Sequence, residues 1–164
     1  MTQLEALKHE LEKEAITTRK MLSVVPADKF EWQPHVKSMT LKRLATHVAE
    51  LPTWIGMTLT TDELDFESNP YKAENVKNRE ELLAYFEKSL KDGRKHLAMA
   101  REDQLDKPWT LRSGKTIYST EPKRDVLRMA FSQVIHHRAQ LGVFLRLLNI
   151  PIPGSYGPSA DESF

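Results

Sequence analysis

Residues Lys123 to Asn149 read KRDVLRMAFSQVIHHRAQLGVFLRLLN and contain no proline. Val126, Met129, Ala130, Val134, Leu141, Phe144, Leu145 and Leu148 recur at spacings of three and four, which is the signature of one buried helical face. Thr120 is suited to cap this helix and Glu121 to occupy its first turn. Pro122 is tolerated at the start because its missing N–H is one that a helix end leaves unpaired anyway. Pro151 closes the segment. The stripe has a polar interruption. Gln133 and His137 lie four residues apart, so they stack on one face and are expected to point into the protein.

Three further helices are expected upstream. The first spans about Leu4 to Ser23, with Leu4, Leu7, Leu11, Ala15, Thr18 and Leu22 on one side. The second follows Thr40 as N-cap and carries Leu41, Leu44, Val48, Leu51 and Ile55, with Pro52 forcing a kink or a restart. The third opens at Asn78, where Glu81 completes a capping box, and runs to about Arg101 over Leu82, Tyr85, Phe86, Ser89, Leu90 and Leu97. Pro108 to Arg112, followed by Ser113-Gly114, reads as an extended segment and a turn, hence a small hairpin. Pro151 to Phe164 reads as an ordered loop or tail. The expected fold is therefore all-α: a single-domain four-helix bundle over residues 1–164, up-down-down-up in order, with long connections and a small hairpin between helices three and four.

Composition narrows the function classes. The 164 residues include no cysteine, which excludes disulfides, zinc ribbons and a cysteine nucleophile. Lys and Arg number 24 against 23 Asp and Glu, so the net charge of +1 gives no footprint for nucleic acid or an anionic membrane. No apolar run approaches the roughly 18 residues of a membrane span. The N-terminal residues resemble neither a signal nor a transit peptide. A cytoplasmic protein is the expectation. Phosphate-cradling glycine loops, a Gly-x-Ser-x-Gly elbow and His-Glu-x-x-His are all absent from the sequence.

The chemistry that remains lies on two helices. His47 sits three residues after Leu44 and four before Leu51, at the core edge of the second helix. With Gln133 and His137 it aims three lone-pair donors inward, and bundle cores are where helical proteins build metal sites. The plainer alternative is a hydrogen-bonded boundary histidine, because a convincing site needs more than two matched ligands. His136 diverges from His137 by about 100° and cannot share its ion without distortion. His9, His35 and His96 are expected at the surface, and Arg138 and Gln140 at the surface or an interface. Glu50, three residues after His47, could orient its imidazole or act as a base; a solvent-facing glutamate is the plainer reading. Trp54 could wall a pocket or fill the core.

Ser132-Gln133-Val134-Ile135-His136-His137-Arg138-Ala139-Gln140-Leu141, followed by Phe144-Leu145-Arg146, resembles the C-terminal signature of the DinB-like superfamily. The usual form there is His-x-x-His-His-Arg-Gly-Gln and then an aromatic-Leu-Arg. Leu44 to Glu50 with Trp54 is similar to the family's first-ligand helix, and Tyr156 to Glu162 to endings found in it. The resemblance implies a commonly dimeric four-helix bundle holding a divalent metal through three histidines. Carried over by position, the ligands fall on His47, Gln133 and His137, with His136 a substitute. Gln133 departs from the expected histidine, and Ala139 from the expected glycine. An amide oxygen is a harder and weaker donor than an imidazole. Nickel or zinc is then the leading expectation, with iron and manganese open.

Relatives in that superfamily include thiol-dependent transferases and isomerases. The resemblance therefore implies a metal-dependent enzyme that transfers a low-molecular-weight thiol to an electrophile, or carries out a related hydrolysis on a small-molecule substrate, with Glu50 as a base. The alternative expectation is a non-catalytic dimeric bundle whose degenerate site binds a small molecule or a partner.

Overall fold

A computed structural model describes residues 1–163. The four expected helical regions are present, the second in two pieces. Helix α1 is Gln3–Ser23, closed by a capping box in which Thr2 Oγ1 accepts from the Glu5 amide and Glu5 Oε2 accepts from the Thr2 amide. Helix α2, Leu41–Glu50, starts under the Thr40 hydroxyl, which accepts from the Arg43 amide at 3.2 Å. Pro52 has no N–H to continue it, so the chain turns at Leu51 and restarts as α3, Thr53–Thr60. Helix α4 is Arg79–Met99. Asn78 caps it, but Glu81 reaches back to the Lys77 amide, one residue earlier than a capping box requires. Helix α5 is Lys123–Leu147.

Helix α1 packs on α4 and α5, and both of those pack in turn on the α2–α3 pair. The apolar positions predicted for α1 and α2 are all buried, together with Thr18. At Gly93 α4 comes so close to the α2–α3 break that a Cβ would meet the Pro52 carbonyl oxygen at 3.0 Å.

The expected all-α class needs correction. Three strands, β1 Glu63–Asp65, β2 Pro108–Ser113 and β3 Thr116–Pro122, form a sheet in that order. The hairpin is the one predicted: β2 and β3 pair antiparallel around a two-residue loop, where Gly114 takes the φ of +54° that tight hairpin turns favour. β1 adds parallel to β2, with Glu63 opposite Thr110. Three residues are too few to show an alternating pattern, so this strand left no trace in the sequence. Asp65 binds it to the hairpin by accepting from the Gly114 amide at 2.9 Å, and that bond with its neighbours holds the carboxyl below its usual pKa. Trp109 anchors the sheet to the helices, fully buried and donating to Thr61 Oγ1 at 3.0 Å.

Thr120 does not cap α5; it lies inside β3. Strand runs directly into helix, and the first helical amides of Lys123 and Arg124 donate to the carbonyls of Lys107 and Leu105. At the far end Asn149 adopts φ +59°, the amide of Asn149 donates to Arg146 and that of Ile150 to Leu145. These are the two bonds of a Schellman stop.

Residues 152–163 are ordered and cover α1 and α5, and Phe164 lies outside the described residues. The Tyr156 hydroxyl donates to Glu14 Oε1 at 2.8 Å and accepts from Arg138 Nη2 at 2.9 Å. Arg138 lies 2.6 Å from Glu14 Oε2 and donates to Thr18 at 3.0 Å. Arg138 is therefore neither surface nor interface: it is 2% exposed and Glu14 8%. Asp161 pairs with Arg146, and Glu162 with Lys20. Arg138→Met, which strands the Glu14 charge in the interior, should lower stability by about 3–5 kcal/mol. Adding Glu14→Leu should recover much of that loss in a urea titration, and no recovery would show that the charge is not what is being stranded.

Candidate functional site

Helix α2 carries His47 and Glu50 one turn apart, with His47 facing α5, and α5 carries Gln133, His137 and Gln140 at successive turns. The two helices cross so that the His47 and His137 rings meet edge to face, with centroids 4.5 Å apart. The crossing thus brings His47 and His137 into contact. Gln133 is half-buried one turn before His137. His136 is exposed, its ring centroid 4.8 Å from that of His137. No cluster of three or more His, Asp or Glu able to hold a metal occurs among the described residues.

Each imidazole has its Nδ1 engaged. His47 Nδ1 lies 2.5 Å from Glu50 Oε1, and His137 Nδ1 lies 2.9 Å from Gln140 Oε1. Where those carbonyl and carboxylate oxygens accept, Nδ1 is the donor, and a neutral ring in that tautomer has its lone pair at Nε2. Glu50 is not solvent-facing. It is 7% exposed, and besides His47 it accepts from the Tyr71 hydroxyl at 2.8 and 3.0 Å. Arg43 stands 3.8 Å from Glu50 and stacks on the Tyr71 ring at 4.6 Å. Burial, then the Glu50 carboxylate, pushes the Tyr71 phenol upward; the same two causes push Tyr85 up to about 12. Both phenols therefore stay protonated as donors.

Tyr71 comes from the connection between β1 and α4, and no periodicity marks it. Arg43 was equally unmarked, since arginine on a helix ordinarily reads as solvated. Trp54 stands half-buried against Trp109, with ring centroids 6.4 Å apart, and lines a cleft beside Glu50. His96 departs from the surface reading: it is half-buried, 3.3 Å from Asp92, over Gly56, where a Cβ would meet it at 2.6 Å. Tyr156, Asp161 and Glu162 lie on the α1 side of α5 and make their contacts there.

The fold is a helical bundle with a small appended sheet. The chain belongs to the DinB family, whose sequence profile matches residues 1–163. A DinB-like protein from Bacillus subtilis has a similar fold, with a TM-score of 0.70 over 97% of this chain and 99% of that one at 14% identity. A DinB-like protein from Bacillus cereus superposes at 0.71, covering 93% and 97% at 19% identity. No protein of curated function matches the chain. No helix among the described residues is long and apolar enough to cross a membrane.

Burial holds the His137 pKa below the usual 6.5, and the neighbouring His47, His136 and Arg43 reinforce the shift against the opposing bond to Gln140. The unfolded chain then binds more protons than the folded one, so the stabilisation from neutral His137 is complete above pH 6.5 and is lost below it as pH falls through the lower folded pKa. In chelator, the urea midpoint should drop between about pH 7.5 and about pH 5.5, and His137→Asn should flatten that drop. Equal slopes would remove His137 as its cause.

Proposed function

We propose that the chain binds a divalent metal ion between α2 and α5, through the imidazoles of His47 and His137 and the amide oxygen of Gln133. The observation that carries this reading is the approach of two rings whose Nδ1 atoms are both engaged, leaving two Nε2 lone pairs on facing helices. A histidine that donates its other N–H to a carboxylate is the ordinary arrangement behind a metal ligand. The depressed pKa of His137 supports it as well, since only neutral imidazole binds a metal. The residues fit an ion in part, for Gln133 offers a weaker, harder donor than a third imidazole. Nickel or zinc is the first candidate, iron or manganese the second.

Such an ion would supply Lewis acidity, lowering the pKa of a thiol or water brought to it. We infer a metal-dependent transferase or hydrolase acting on a small molecule, with transfer of a low-molecular-weight thiol to an electrophile as the leading reaction. Within it Glu50 orients His47 and is the candidate base. The second reading, a non-catalytic dimeric bundle with a degenerate site, is favoured by Gln133 alone.

Elemental analysis after soaking with nickel, zinc, iron or manganese tests the reading. Near-stoichiometric metal is expected in the wild type and none in His47→Ala or His137→Ala. Glu50→Gln should weaken affinity by about 10–100-fold, and Gln133→His should strengthen it. A wild type that stays empty would overturn the metal reading and leave the second.

A further inference from the structure

Glu50 faces a second environment. Besides meeting His47, it lines a cleft of about 210 Å³ between α3, α4 and the connection that carries β1 and Tyr71. Trp54, Phe66, Tyr71 and Tyr85 contribute four aromatic rings to the walls, and among the described residues Glu50 is the one charged side chain lining it. His47 and His137 are not part of the wall. Arg43 is not part of it either, although it stacks on Tyr71 and lies 3.8 Å from Glu50. The Glu50–Arg43 pair thus shows its negative member to the cleft.

We propose that this cleft binds a small organic cation of the alkylated-ammonium class, its head against the aromatic walls and its charge balanced by Glu50. Aromatic faces attract cations through their quadrupole, and the attraction grows as water is removed. Tyr71 already holds the Arg43 guanidinium in this way. The hydrogen-bonding state of Glu50 selects the kind of cation. Its oxygens accept from Tyr71 and meet His47, so much of the carboxylate's accepting capacity is already used. A quaternary ammonium donates no hydrogen bond and asks for none, and its charge is spread over weakly hydrated methyl groups. A metal ion would need several oxygen ligands, and a single carboxylate among aromatic rings does not supply them.

The inference is independent of the metal reading, because the experiment runs in chelator on the full chain. Choline is titrated calorimetrically beside its neutral carbon isostere, in which a tert-butyl group replaces the trimethylammonium head. Choline should bind saturably and at least about tenfold more tightly than the isostere. Trp54→Leu and the more exposed Phe66→Leu should each weaken choline severalfold while leaving the far-ultraviolet circular dichroism unchanged. If Trp54→Leu disturbs the fold, Phe66→Leu decides. Three results would each overturn the proposal: no saturable heat up to about 50 mM choline, an isostere that binds as well as choline, or choline affinity unchanged in the folded variants.

Discussion

Arg138 lies where the apolar stripe of α5 turns toward α1, and a guanidinium there must find its counter-charge in the interior. Glu14 on α1 provides it, with the Thr18 hydroxyl and, from the chain beyond Pro151, Tyr156 completing the set. An unpaired charge at 2% exposure would cost several kcal/mol, so the rotation of α5 about its axis is tightly constrained. Successive helical residues diverge by about 100°. Once Arg138 is held toward α1, His137 is carried round toward α2, where His47 stands 4.5 Å away. The buried pair on one side of the helix thereby sets the histidine pair on the other.

The helices were legible because their apolar residues repeat at three and four, and most of those positions are buried as read. The break at Pro52 and the hairpin around Gly114 were legible through the chemistry of proline and glycine. Other features left no local signal. β1 is short and owes its existence to pairing with β2 across a wide gap in sequence. The start of α5 was misplaced because its first amides are satisfied by the carbonyls of Leu105 and Lys107, and a carbonyl carries no residue identity.

The site shows the same division. Spacing brought His47, Gln133 and His137 to facing surfaces, and the crossing of α2 with α5 joins the two histidines. The surroundings of Glu50 were beyond sequence reasoning. A glutamate ahead of a proline reads as solvated, and only the return of the chain through Tyr71 buries it. Arg138 was misread for a related reason: its partners come from α1 and from the closing segment, so neither neighbour on α5 betrays its burial.

The bond between Tyr156 and Glu14 spans 142 positions in the chain, and that between Arg138 and Thr18 spans 120. During synthesis Glu14 emerges from the ribosome long before either partner exists. Arg138 and then Tyr156 arrive to neutralise and cover it. The carboxylate on α1 is thus neutralised and covered only by residues made more than a hundred positions later.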